Sequence, residues 1–182
     1  MRGARMTPPR LVDALQTPGL EVWLLLCVES EEKGRNLESE EVSQQGNSEP
    51  EVIACVKVEV TTKTVVGAVP EKDGHAGYLG MLAVRQSHQS RGIGRWLVNF
   101  CESRLWALGE RVVLIDVICV RGDVLSWYKR MGYEETGRSI DGATFSKLVG
   151  QELLVESNVI LLRKNLSEEY IARVRLKIGG TD

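Results

Sequence analysis

A chain of 182 residues, 43% of them hydrophobic, can bury one core and is read as a single domain over residues 1–182. Its formal charge of −2 excludes a protein built wholly to coat nucleic acid. No run approaches the ~18 to 20 apolar residues of a membrane span, and "MRGARMTPPR" at the start lacks the apolar centre of a signal peptide, so a cytoplasmic protein is expected, or a nuclear one in a eukaryote.

Cys27, Cys55, Cys101 and Cys119 lie far apart with no CxxC pair, which reads as thiols in a reducing compartment. With only His75 and His88 beside them, no metal site is expected.

In chain order, "PPRLVDALQT" (8–17) predicts a short helix, because Leu11, Val12 and Leu15 share a face and proline suits a first turn. The apolar run at 20–28 predicts a buried strand. Residues 29–50 hold seven glutamates and almost nothing apolar, too little to offset the entropy of ordering, and predict a flexible acidic loop. Residues 51–60 predict a strand, and a Pro/Gly turn region leads to another at 76–84.

A helix is expected over 93–108, with Ile93, Leu97, Cys101, Leu105 and Leu108 on its core stripe, Arg95, Asn99 and Glu102 on its wet side, and Gly109 as its C-terminal cap. The β-branched run 111–120 predicts a central strand. Asp123 is placed to cap the next helix, "VLSWYKRM", which Gly132 ends, and "YEETG" opens another strand. The last strand is expected at 157–164, followed by a helix over 167–177 capped by Ser167, with Leu166 and Ile171 as a hydrophobic staple. Strands in a run that then alternate with helices imply a mixed sheet covered by helices.

The most informative stretch is "QSRGIGR" (89–95), between a predicted strand and a predicted helix. Glycine allows close backbone approach, a helix N-terminus offers unpaired N–H groups, and arginine adds forked charged donors, so the stretch suits a phosphate. A P-loop would need Lys-Ser/Thr after Gly94, where Arg95 and Trp96 stand, and a dinucleotide fingerprint would need glycine at Leu97. The spacing Gln89, Ser90, Arg91, Gly92, Ile93, Gly94 resembles the pyrophosphate loop of the GNAT superfamily of acyl-CoA-dependent N-acyltransferases. "YLGMLAV" (78–84) is similar to that family's fourth strand, "RVVLIDVICV" to its fifth, and "LSWYKRMGYEETG" (125–137) to its tyrosine-bearing helix; the resemblance spans about residues 50–164.

The resemblance implies an α/β fold of the α+β type. Its mixed, mostly antiparallel sheet is splayed between the family's fourth and fifth strands, with helices on both faces and an opening strand and helix that are short or missing here. It implies an acetyl-CoA-dependent N-acetyltransferase with acetyl-CoA as co-substrate. Gln89, Ser90, Arg91, Gly92, Ile93, Gly94 and Arg95 would bind the pyrophosphate, with Arg85 joining the arginines on the outer phosphates. The backbone of Leu82, Ala83 and Val84 would pair with the pantetheine arm. The Leu82 amide would stabilise the oxyanion, an effect worth about 3 to 4 kcal/mol in other enzymes. Tyr128 matches the family's tyrosine and would protonate the departing thiolate. At "VRGD", Arg121 stands where many relatives carry a cofactor-contacting asparagine.

An attacking alkyl amine, with a reference pKa near ~10.4, must also lose a proton. Glu59, Asp116 or a carboxylate acting through water are the candidates, and Asp116 is the most unusual in placement, inside "VLIDVI". Direct attack in a ternary complex is preferred over a covalent route through Cys119, which has no histidine placed to activate it. The acceptor is a small-molecule or peptide amine, and a homodimer is compatible with the sequence. No nucleic-acid partner is expected, because the basic stretch lacks interleaved aromatics, and no membrane partner either. The alternative is a non-catalytic acyl-CoA sensor or complex subunit.

Overall fold

The computed structural model describes residues 20–27, 51–64, 66–68, 74–149 and 156–179. The helix expected at 8–17 and the acidic loop at 29–50 lie outside the described residues. The long strands are β1 (Leu20–Cys27), β2 (Glu51–Thr61), β5 (Ala76–Val84), β6 (Val112–Ile118), β7 (Glu134–Asp141) and β8 (Asn158–Asn165), with β1 and β6 built from near-continuous apolar runs and β2 buried at alternate positions over Val56–Val58. Between β2 and β5 a small separate hairpin forms from β3 (Lys63–Thr64) and β4 (Gly67–Ala68). The six long strands make one sheet in the order β1-β2-β5-β6-β8-β7. Every neighbouring pair is antiparallel except β5 and β6, which are parallel. The sheet is thus mixed and mostly antiparallel, as expected.

The helices are α1 (Ile93–Ala107), α2 (Gly122–Arg130), α3 (Gly142–Val149) and α4 (Glu168–Gly179). One face of the sheet carries the main core. Val56, Val58, Leu79, Val113, Ile115 and Leu162 project from the strands onto Leu97, Val98, Cys101 and Leu105 of α1, Tyr128 of α2 and Ile171 of α4. The opposite face carries a smaller cluster of Ala76, Tyr78, Leu114 and Leu161. Helix α1 ends as expected at Gly109, whose φ of +97° only glycine adopts without strain, with the Glu110 amide reaching back to the Leu105 carbonyl at 3.0 Å. Ser167 Oγ accepts the Tyr170 amide at 3.2 Å, and Leu166 and Ile171 are both buried, so the predicted cap and staple of α4 are in place. Helix α3, which packs against β7 and β8, was not anticipated.

Four expectations are corrected. Strand β1 is not buried: it lies at the edge of the sheet with Leu24 and Leu26 exposed, and Leu108, beyond the last turn of α1, is exposed rather than on the core stripe. Asp123 does not occupy the cap position of α2. The helix begins at Gly122 and Asp123 sits in its first turn, held by Arg121 at 2.7 and 2.9 Å. Glu102 does not face water. It is fully buried, because α4 covers the side of α1 that an isolated helix would leave wet. Its carboxylate accepts Tyr133 Oη and Lys164 Nζ at 2.8 Å each and Tyr170 Oη at 2.5 Å, which supplies the compensation that a buried charge requires.

At the other end of the sheet, Arg104 of α1 binds Glu21 of β1 through Nε at 3.0 and 3.1 Å. Hydrogen bonding from Arg104 holds the Glu21 carboxyl below its ordinary value of 4.5. A carboxyl lowered in the folded state stabilises the fold above its unfolded pKa, and that contribution is lost as pH falls through the folded value. Glu21→Gln is therefore expected to lose about 1 kcal/mol or less in urea unfolding at pH 7, since the pair is partly solvated. The difference from wild type should close as the titration proceeds below pH 4.5.

Candidate active site

The site begins with a fault in β5. Against β2, Cys55 pairs with Ala83 but Lys57 pairs with Gly80, so three steps on β5 oppose two on β2. The extra residue is taken up where Met81 adopts φ +53°. Before this bulge Leu79 faces the helices; after it, Leu82 and Val84 do. On its other edge β5 pairs with β6 only at Gly77↔Val113 and Tyr78↔Leu114. Beyond Tyr78 the two strands part, and the backbone edge of Leu82 to Val84 has no β6 ladder to join.

A cleft of about 550 Å³ occupies the gap. One end is the turn after β5. The Arg85 amide donates to Ile53 O at 2.7 Å, and the Arg85 guanidinium binds Val52 O at 3.2 Å and Glu51 at 2.8 Å. After a short 3₁₀ turn (Gln86–His88), Gln89 Nε2 folds back onto Val84 O at 2.9 Å. Ser90 and Gly92 then take left-handed φ values of +62° and +82°. Left-handed residues alternating with right-handed ones turn successive N–H groups toward one side. Gly92 is also the N-cap of α1, and no side chain caps that helix. The first-turn amides of α1 are accordingly left for a ligand, with the positive end of the helix dipole behind them.

The cleft charges match. Arg95, Arg121 and Arg130 line it against a single acid, Asp123, which Arg121 holds down at about 2. A positively lined cleft with an uncapped helix start suits a pyrophosphate, so these residues fit the diphosphate of an acyl-CoA. Gly94 brings α1 close to the wall, since a Cβ there would lie 3.6 Å from the Trp127 ring.

Tyr128 stands on the inner wall. Its ring is buried, T-shaped against Trp127 at 4.8 Å and Tyr133 at 5.4 Å, and its hydroxyl has no hydrogen-bond partner among the described residues. Burial, and secondarily the Cys101 thiol, push the phenol above its ordinary value of 10, so it stays protonated at neutral pH.

Of the residues singled out in the sequence, Leu82, Val84, Gln89, Ser90, Gly92, Ile93, Gly94, Arg95 and Tyr128 line this cleft. Ala83 does not; it is exposed and in register with Cys55. Arg91 does not line it either; with Leu25 and Trp96 it lines a neighbouring groove. Arg85 is committed to the β2 end, as above. Asp116 lies on the opposite face of the sheet, where its Oδ2 accepts the Tyr78 hydroxyl at 3.2 Å. Glu59, next to Tyr78 in register, is held by Lys57 at 2.9 Å. Burial first, and Asp116 second, hold the Tyr78 phenol well above its ordinary value.

Sequence reasoning missed Tyr78 and Arg130. Tyr78 meets Asp116 because Tyr78 pairs with Leu114, which places Asp116 two residues further on the same face. The only available signal was a lone polar group in each of two apolar strands. The distance between them depends on a register that neither strand encodes by itself. Among the described residues, no group of His, Cys, Asp and Glu could hold a metal ion, and no helix is long and apolar enough to cross a membrane.

Comparison with known proteins places this arrangement. The family model for the acetyltransferase (GNAT) domain matches residues 49–135. The structure of Arabidopsis thaliana NAA60 in complex with acetyl-CoA is similar with a TM-score of 0.59 at 16% identity, over 89% of this chain and 85% of that one. The protein smu.2055 of Streptococcus mutans gives 0.56 at 14% identity, over 89% and 79%. Chaetomium thermophilum Naa20 in complex with a bisubstrate analogue gives 0.51 at 15% identity, over 68% and 64%. At these identities the likeness is one of fold. No curated protein matches the sequence closely enough to count as a relative.

The loop assignment is tested by Gly92→Glu. A side chain at Gly92 meets nothing within 4 Å, so the fold should survive with a loss of about 1 to 2 kcal/mol for the left-handed backbone. The new carboxylate at the helix start should abolish the rise in melting temperature caused by CoA; an undiminished rise would refute the assignment.

Proposed function

We infer that the chain, whose residues 49–135 match the acetyltransferase (GNAT) domain model, is an N-acetyltransferase that moves an acetyl group from acetyl-CoA to a primary amine by direct attack in a ternary complex. The observation that carries this reading is the parting of β5 and β6. It opens an arginine-lined cleft ending at Tyr128, whose hydroxyl has no hydrogen-bond partner among the described residues, on one face, and it lies beside the Tyr78–Asp116 pair on the other. When bound, acetyl-CoA supplies an acyl group activated by a thiolate leaving group.

The residues divide the work. The Gly92–Gly94 amides and Arg95 hold the diphosphate, and the unpaired edge of β5 from Leu82 holds the arm that follows it. The Leu82 amide, displaced by the bulge, is the donor assigned to the developing oxyanion. Tyr128 is assigned as hydrogen-bond donor to the departing sulfur. Its raised pKa keeps the proton available but makes full transfer to a thiolate near ~8.5 unfavourable, so its contribution is a charge-assisted hydrogen bond. Asp116 is assigned as acceptor of the amine proton, with Tyr78 orienting its carboxylate through the 3.2 Å hydrogen bond. The acceptor is a small-molecule or peptide amine that reaches the thioester from the Tyr78–Asp116 side. Cys101 and Cys55 are no nucleophiles, because burial raises both thiols.

A thiol-release assay with acetyl-CoA and a panel of amines tests the reading. Tyr128→Phe should lower kcat by about 10- to 100-fold, the equivalent of one charge-assisted hydrogen bond, with CoA affinity unchanged. Asp116→Asn should lower kcat/KM by about 100-fold or more, again without affecting CoA affinity. Binding of CoA with no thiol release for any amine would instead make the chain a sensor.

A further inference from the structure

Arg95 and Arg130 line the cofactor cleft on one side and a second concavity on the other. The second, of about 230 Å³, lies between α1, the C-terminal end of α2 and α4. Helix α4 adds Arg173 and Lys177 to its wall, and Asn99 and Tyr170 complete the polar lining. Four cations therefore converge on one pocket in a chain whose net charge is −2. Among the described residues no carboxylate lines it. Among the described residues none pairs with Arg95, Arg130 or Lys177, and the contact of Arg173 with Glu169 is long, at 3.7 Å, and exposed.

The convergence is built in. Tyr170, Arg173 and Lys177 recur at the spacing of one helical face, as do Arg95, Asn99 and Glu102 on α1. The two faces are locked together by the buried carboxylate of Glu102, which binds the Tyr170 hydroxyl at 2.5 Å while Lys164 donates to the same hydroxyl at 2.7 Å. The α4 cations thus sit on a helix pinned at its base. Like charges gathered in a concavity repel one another, and a multiply charged anion relieves that repulsion.

We propose that this pocket binds a phosphomonoester dianion and that α4 supplies half of its cationic wall. Two sources have this chemistry. One is the ribose phosphate of CoA, reaching past Arg95 and Arg130, and this source rests on the cofactor reading above. The other is a separate phosphorylated molecule, which does not.

Titration calorimetry of the full chain with CoA and with dephospho-CoA, and thermal unfolding with inorganic phosphate against chloride at equal ionic strength, separate the cases. The variant R173E/K177E changes two exposed positions on α4, and R173Q/K177Q serves if reversal of charge impairs folding. If the coenzyme is the source, wild type binds CoA about tenfold or more tightly than dephospho-CoA, and the variant loses this preference while keeping its affinity for dephospho-CoA. If the source is separate, the two coenzymes bind alike, phosphate raises the melting temperature of wild type, and the variant loses that rise. A coenzyme preference and a phosphate response that are both absent, or both unaltered in the variant, would overturn the proposal. Failure of either coenzyme to bind would remove the cofactor reading alone, because the phosphate response still decides the pocket.

Discussion

The structure depends on how briefly β5 and β6 stay together. Parallel strands in a buried sheet ordinarily satisfy each other's backbone groups along their length. Here the ladder holds at Gly77 and Tyr78 and then stops. The departing edge of β5 would be a liability unless something paired with it, and the same departure creates the space that a ligand must fill to do so. Tyr128 and Trp127 of α2 wall that space, and the Ser90–Gly92 turn closes its end. Removing the divergence would remove the cleft, the donor edge and the access of Tyr128 to a ligand together.

Helix α1 joins the parts. Its first turn faces the cleft, its Leu97, Val98, Cys101 and Leu105 fill the main core, and its last turn reaches β1 through Arg104. Its remaining side is covered by α4 through Glu102. A buried carboxylate with three satisfied donors fixes one orientation of α4 against α1, where an apolar contact would tolerate sliding. This gives the C-terminal helix a defined place relative to the cleft.

Much of this was legible in the sequence because it is local. The loop from Gln89 to Gly94, the C-terminal glycine of α1, the Ser167 cap and the order of strands all follow from short-range pattern. What was not legible depends on tertiary cover and register. Glu102 reads as a solvent residue until α4 is laid over it. Asp123 reads as a cap until Arg121 turns back to hold it. Which side chains of the loop line the cleft is likewise not set by spacing: Arg91, read with Arg85 and Arg95 as a phosphate contact, lines a neighbouring groove instead. The Tyr78–Asp116 pair needs the parallel register of two strands that touch at two positions.

The bulge at Met81 has one more consequence. Strand β5 consists of two segments of opposite phase, so Tyr78 presents its ring to one face of the sheet while Leu82, four residues later, presents its side chain to the other. One continuous backbone therefore presents side chains to both the cleft and the Tyr78–Asp116 face without a separate loop for either. Conformation matters more here than residue count: deleting Met81 would leave Leu82 and Val84 on the helix side in regular alternation with Leu79, whereas forcing the full-length strand into regular alternation would turn both to the opposite face.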